Sequence, residues 1–218
     1  MNCCSQQRGL NQIFSPAIAR HEAEQYRKKG LSKRDRQLLR ALTQQPARVR
    51  GARVLEIGGG VGGLDIELLR AGAAFATDVD IAEAYVESAR ELARTLGYAQ
   101  VSEQRVLDFA HAAEQVEPAD IVLMNRVVCC YPDMPALVAP AAQHARRRLA
   151  LVFPREAWWM RLGTDVMNFG LWLLRRDFRF FVHPHDAIIG LVSREGLRAV
   201  YDHYSGVWRM MIFERGQS

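Results

Sequence analysis

Val54-Leu55-Glu56-Ile57-Gly58-Gly59-Gly60-Val61-Gly62-Gly63-Leu64 decides how the chain is read. An apolar run carrying one acid enters a turn with five glycines in six positions, then a helical pattern of Leu64, Leu68 and Leu69. The pattern predicts a strand over 53–57, a tight turn, and a helix over about 62–71. Glycine suits backbone at positive φ and backbone against which a ligand presses. The helix that follows turns its free N–H groups and positive dipole end toward the turn. A polar small molecule held against bare main chain is the expected occupant.

Two fingerprints overlap on this stretch. Gly58, Gly60 and Gly63 satisfy the G-x-G-x-x-G dinucleotide pattern. Gly58, Gly60 and Gly62, with Glu56 two residues ahead, satisfy E-x-G-x-G-x-G, which resembles motif I of class I S-adenosylmethionine methyltransferases. The carboxylate favours the second, because it repels a pyrophosphate and attracts an ammonium or sulfonium.

Working outward, strands and helices alternate from Arg53 onward, which implies a parallel sheet wrapped by helices. Strand two, Ala73–Val79, runs into Asp78-Val79-Asp80-Ile81, and Asp80 lies 24 residues beyond Glu56. A carboxylate at that strand end can accept both ribose hydroxyls of an adenosine. A helix over about 82–96, strand three over 102–106 and Leu107-Asp108-Phe109 follow. Strand four, 121–124, ends in Asn125-Arg126-Val127-Val128-Cys129-Cys130-Tyr131-Pro132-Asp133. A helix over 135–145, a strand over 148–153, a helix over about 184–195 and a hairpin of 197–204 with 207–214 complete the pattern.

Glu56-Gly58-Gly60-Gly62, Asp80, Asp108 and the strand-four segment together resemble class I methyltransferases from about residue 50 to the end. The strand-four segment, Leu151-Val152-Phe153-Pro154-Arg155, the apolar helix and the terminal hairpin are similar to the magnesium-protoporphyrin IX O-methyltransferase group. The resemblance implies an α/β, Rossmann-like fold, a seven-stranded mostly parallel sheet closed by an antiparallel hairpin. It implies S-adenosyl-L-methionine as cofactor, held by Glu56, Gly58, Gly60, Gly62, Asp80, Ile81, Asp108, Phe109, Asn125 and Arg126. Asp108 with Phe109 would take the adenine, although an Asp there also caps the next helix. Methyl transfer from a sulfonium is an in-line displacement, so alignment and exclusion of water dominate. A carboxylate acceptor needs no strong base, whereas a phenol does; Tyr131 and His183 are the catalytic candidates, with His185 beside them.

The N-terminal part predicts two helices. Ser15 precedes Pro16 at the first position of one that runs to Gly30, and Ser32 caps the other, with Leu38, Leu39 and Leu42 on one face. Residues 1–48 are expected to form a helical extension over the cofactor pocket, and 49–218 the methyltransferase domain. Tyr26 would contact the pocket or pack the helix on the core. Residues 156–176 form an apolar helical insertion that core, substrate or a membrane surface must cover, core packing being the commonest answer.

Composition limits the alternatives. With 218 residues, one domain is expected. The 29 Lys and Arg against 24 Asp and Glu give a net charge of +5, but no basic stripe is interleaved with stacking aromatics, so nucleic acid is not an expected partner. No apolar run approaches a membrane span and the N-terminus has no signal core, so a cytoplasmic protein is expected, with peripheral membrane contact through 156–176 left open. The cysteines form two adjacent pairs, Cys3-Cys4 and Cys129-Cys130, without zinc spacing, and no metal is expected. The reading is a methyltransferase acting on a small molecule, on oxygen of an apolar or acidic aromatic acceptor. A non-catalytic cofactor-binding module, a metalloid methyltransferase using Cys129-Cys130, and a nicotinamide-dinucleotide protein are the alternatives.

Overall fold

The structure is a computed structural model that describes residues 9–10, 13–44 and 48–216. Cys3-Cys4 lies outside these residues. In chain order the elements are α1 (Pro16–Lys29), α2 (Lys33–Thr43), β1 (Arg53–Ile57), α3 (Gly63–Arg70), β2 (Phe75–Asp80), α4 (Glu83–Thr95) and β3 (Ser102–Val106). They continue with the short α5 (Phe109–Ala112), β4 (Ala119–Asn125), α6 (Met134–His144), β5 (Ala145–Pro154), α7 (Trp158–Leu173), α8 (His185–Arg194), β6 (Leu197–Ser205) and β7 (Trp208–Arg215).

The seven strands form one sheet in the order β3-β2-β1-β4-β5-β7-β6. Neighbours from β3 through β5 pair in parallel, and β7 pairs antiparallel with both β5 and β6. The strand order reverses between β1 and β4, where an open α/β sheet leaves a crevice beyond its carboxyl ends. Glu56 sits at that reversal, in register with Asp78 on one side and Leu123 on the other.

Strand alternation sends side chains to two cores. Leu55, Val122, Met124, Leu149 and Phe153 pack under α6 and α8 through Leu137, Val138, Ile188 and Val192. Val54, Ile121, Leu123 and Val152 pack against α2 and α3 through Leu38, Leu42, Leu64 and Leu68. The second N-terminal helix therefore belongs to the core as well as to the pocket rim. Ser32 caps it as expected, its hydroxyl oxygen accepting from the Asp35 N–H at 3.2 Å. Ser15 precedes α1 without a side-chain cap bond, leaving Pro16 as the start signal.

The expected core packing of 156–176 is not what the fold does with that segment. In α7 only Thr164 is buried. The sheet face it would have covered is taken by α8, whose Ile188 and Val192 are wholly buried. Tertiary competition for the face, invisible in local periodicity, decides the outcome.

One buried ion pair joins three elements. Arg148 on β5 donates through Nε to Glu214 Oε1 on β7 at 2.8 Å and through Nη1 to the Leu42 carbonyl of α2 at 2.9 Å. Arg148→Ala strands that carbonyl and leaves Glu214 paired with Arg48 alone, and is expected to lower unfolding free energy by about 1–3 kcal/mol in urea titration. Arg148→Lys recovers less than half, because an ammonium cannot bond both partners in the guanidinium geometry.

Candidate functional site

Backbone and carboxylates hold the glycine loop before any ligand arrives. Gly58 N–H donates to the Val79 carbonyl at 2.7 Å. Gly59 N–H donates to Asp78 Oδ1 at 3.1 Å and Gly60 N–H to Asp80 Oδ2 at 3.2 Å. Asp80 Oδ1 accepts from Ala82 N–H at 2.8 Å. Two of the glycines answer to this chain's own atoms. Gly58 has φ +71°, and a Cβ there would lie 2.4 Å from Val127 Cγ2; one on Gly59 would lie 2.4 Å from Asp78 Oδ1. Asp78, passed over in favour of Asp80 in the sequence, is the buried prop of the loop, and Asp80 lines the cavity above it.

Three carboxyls are buried behind the loop: Glu56, Asp65 and Asp78. Burial, then the charge of Asp65, pushes Glu56 well above the ordinary carboxyl range. Burial pushes Asp65 up to about 7 and Asp80 up to about 6. Burial, then the charges of Asp65 and Asp80, raises Asp78 as well. Asp65 was missed in the sequence. Its signal was an acid in the first turn of a helix otherwise apolar at that end, directly after the loop.

A cavity of about 910 Å³ opens over β1 and β4. Every residue assigned to the cofactor except Gly62 lines it: Glu56, Gly58, Gly60, Asp80, Ile81, Asp108, Phe109, Asn125 and Arg126. Gly62 instead sits at the start of α3 with φ +73°. Among the described residues, Glu56 Oε2 and Asn125 Oδ1 are buried acceptors without a hydrogen-bond partner. Buried polar atoms are normally satisfied, so both suit a ligand that brings donors. Asn125 Nδ2 donates to Asp35 Oδ1 at 2.9 Å, and the Arg126 guanidinium lies 3.6 Å from the same carboxylate. Asp35, on α2, is thus a site residue that the sequence reading missed; its place next to a cap serine disguised it as capping. Arg126 itself takes φ +67°, a left-handed conformation at the end of β4.

At the other end, Asp108 accepts from Ala110 N–H at 3.2 Å and caps α5. Its Oδ2 lies 3.0 Å from His111 Nδ1, and the Tyr131 hydroxyl donates to it at 3.2 Å. Tyr131 and Cys129-Cys130 line the cavity. His183 is not among the lining residues; its Nε2 is 2.9 Å from the Tyr131 carbonyl, which only accepts, so that nitrogen carries the proton. His185 is buried beneath the sheet end, against the Pro154 carbonyl at 2.9 Å. Tyr26 lines the cavity, is buried, and donates to Glu67 Oε1 at 2.8 Å, so both readings offered for it hold.

A family model described as a methyltransferase domain matches residues 26–201. The chain belongs to the methyltransferase-domain family. Its fold is that of class I methyltransferases. Magnesium protoporphyrin IX methyltransferase from Synechocystis PCC 6803, solved with S-adenosylhomocysteine (SAH), is 21% identical, with a TM-score of 0.70 over 84% of this chain and 83% of that one. An O-methyltransferase family protein from Burkholderia thailandensis is 17% identical, with a TM-score of 0.62 over 83% of this chain and 58% of that one. Geranyl diphosphate C-methyltransferase from Streptomyces coelicolor A3(2) is 10% identical, with a TM-score of 0.64 over 82% and 75%. Among curated proteins no significant sequence match was found.

The raised carboxyls fix a pH dependence. Each holds its proton more tightly folded than unfolded, so the folded state binds more protons between the unfolded value near 4 and the folded value near 7. Stability of the ligand-free methyltransferase is therefore full at the lower end of that window and declines as pH rises through it. Thermal melts between about pH 5 and 7.5 are expected to show Tm falling, and Asp65→Asn is expected to flatten the slope.

Proposed function

We propose that the protein transfers a methyl group from S-adenosyl-L-methionine to an oxygen of an acidic aromatic small molecule. The observation that carries this reading is that Glu56 Oε2 and Asn125 Oδ1, two of several buried side-chain atoms without a hydrogen-bond partner among the described residues, belong to residues lining one cavity at the reversal of strand order. A dinucleotide would bring phosphates to that spot and meet buried carboxyls; a methionine-type ammonium meets them as donor and cation. Glu56 and Asn125 then hold the amino-acid end, with the Gly58–Gly62 loop behind it. Asp80 with Ile81 takes the ribose, and Asp108 with Phe109 the adenine. Bound there, the cofactor supplies an electrophilic methyl group on a sulfonium.

The protein's share is positioning and exclusion of water. The described N-terminal residues act as a cover: Phe14, Tyr26 and Asp35 line the cavity from that side and Trp208 from the hairpin. Arg126 is the group best placed to orient an anionic acceptor, since its guanidinium offers a planar fork for a carboxylate. Tyr131 and His183 remain the proposed catalytic candidates. The Tyr131 hydroxyl is engaged by Asp108 and His111, and His183 Nε2 by the Tyr131 carbonyl, so we favour positioning over proton abstraction for both. An acceptor that is already a carboxylate fits that arrangement, because its oxygen needs no deprotonation. Among the described residues no helix is long and apolar enough to cross a membrane, and we place the enzyme in the cytoplasm.

A second reading takes its support from Cys129 and Cys130, whose sulfurs lie 3.8 Å apart on the cavity wall. Vicinal thiols at that spacing suit a soft metalloid acceptor. Hydrogen bonding with Cys129, then burial, pushes the Cys130 thiol up, which works against ligation at neutral pH.

Calorimetry with SAH and NADH separates the cofactor readings. We expect SAH to bind and NADH not to, with Glu56→Gln and Asp80→Ala each weakening SAH by about tenfold or more, the loss of one charge-assisted hydrogen bond. NADH binding alone would reverse the assignment. Turnover with labelled donor against aromatic carboxylic acids, phenols and arsenite then identifies the acceptor. Base-labile methyl esters are the expected product, and base-stable ethers or methylated arsenic would replace that reading. Binding without any transfer would leave a cofactor-binding module.

A further inference from the structure

α7 is turned the opposite way from an ordinary surface helix. Met160, Thr164, Asn168 and Leu171, one face at a spacing of three to four residues, look toward the body and are buried or half-buried. The anchor on that face is polar: Asn168 Nδ2 donates to the Phe180 carbonyl and Asn168 Oδ1 accepts from Phe180 N–H, both at 2.8 Å. The opposite face carries Trp158, Leu162, Val166, Phe169 and Leu173, each between 56 and 77% exposed. Trp159, Trp172 and Leu174 widen it and are exposed too. A contiguous apolar surface of this kind marks an interaction site.

Charge selects the occupant. Along and after the helix the sequence carries Arg161, Arg175, Arg176 and Arg179 against three acids, Glu156, Asp165 and Asp177, while Arg155 lies over the Tyr204 ring of the hairpin. Glu156 accepts from Arg161 at 2.6 Å and from His185 N–H at 2.7 Å, so that pair cancels and leaves Arg175, Arg176 and Arg179 against Asp165 and Asp177. Arg175, Arg176 and Arg179 follow the helix and are exposed. A second copy of this cationic chain would bring the same arginines to the same seam. An anionic bilayer brings the complementary sign and an apolar layer beneath it. Tryptophans at both ends, with arginine beside each, match the amphipathic boundary between headgroups and acyl chains. At 16 residues the helix is roughly 24 Å long, short of a span, and so would lie in the plane of the surface.

We propose that α7 and the arginines after it dock the protein on an anionic lipid bilayer, with the Trp158–Leu173 face in the headgroup region. Phe180, clamped to Asn168, lines the cavity, and Phe181 N–H donates to the Cys129 carbonyl at 2.8 Å. Docking therefore brings one cavity wall to the bilayer. The proposal needs neither methyl donor nor acceptor, so it stands or falls apart from the reaction assigned above.

Three of the four tryptophans lie on α7, so their fluorescence reports on this face directly. The full chain is mixed with vesicles of equal parts phosphatidylglycerol and phosphatidylcholine, and with vesicles of phosphatidylcholine alone. Co-sedimentation and a blue shift with the anionic vesicles are expected, weakening by about tenfold or more with phosphatidylcholine alone or at high salt. Val166→Glu with Phe169→Glu, and separately Arg175→Glu with Arg176→Glu, should each reduce binding by at least about tenfold. Both pairs are exposed, so circular dichroism and SAH affinity should match the parent. The proposal is overturned if the chain stays in the supernatant with anionic vesicles. It is equally overturned if the chain is a dimer in solution that Val166→Glu dissociates, which would make a second copy the occupant.

Discussion

Carboxyl oxygens facing the free N–H groups of the glycine loop are the constraint on which the site depends. Asp78 and Asp80, both from the end of β2, accept from Gly59 and Gly60, which come after β1. Those bonds tie the loop to the neighbouring strand and leave the outer side of the loop facing the cavity. The geometry admits almost no variation, since a Cβ on Gly59 would overlap the Asp78 carboxylate. Glu56, in register with Asp78, then has nowhere to turn except into a buried space it shares with Asp65.

That crowding sharpens the argument from Glu56. The sequence suggests a standing negative charge that repels phosphate. In the fold, Glu56 is 2% exposed, and burial and then the charge of Asp65 push its carboxyl well above the ordinary range, which weakens the standing charge that the composition implies. A cationic ligand changes the balance by supplying the counter-charge that burial removed. Under the proposed assignment, selectivity for an ammonium resides in what the buried group becomes on binding, and a phosphate offers it nothing in return.

Much of this was legible in the chain because local signals and global fold agree. Strand three is found over the residues expected, the hairpin turns at Gly206-Val207, one residue beyond the break expected, and the loop falls between the strand and helix that its glycines and apolar periodicity required. What escaped was long-range. Asp35 reads as a capping residue beside Ser32, yet its other oxygen reaches Asn125, 90 residues away. Asp65 reads as a favourable first-turn acid, yet it shares a buried space with Glu56. Pairings of this kind follow from the fold rather than from spacing. Gly58 and Gly59 are also constrained by distant parts of this chain, Val127 and Asp78, for the same reason.

α7 shows the limit of periodicity in another way. The apolar character of 156–176 is plain in the sequence, but periodicity gives only the direction of an apolar face relative to the helix axis, not which side the rest of the molecule occupies. With α8 on the sheet face, Asn168 holds the remaining orientation, its amide satisfying both backbone groups of Phe180. Turning the helix to bury Leu162, Val166 and Phe169 would break both bonds and displace Phe180 from the cavity wall. The polar clamp thus keeps the apolar face outward while it shapes the pocket, which links the surface of the protein to its site through a single side chain.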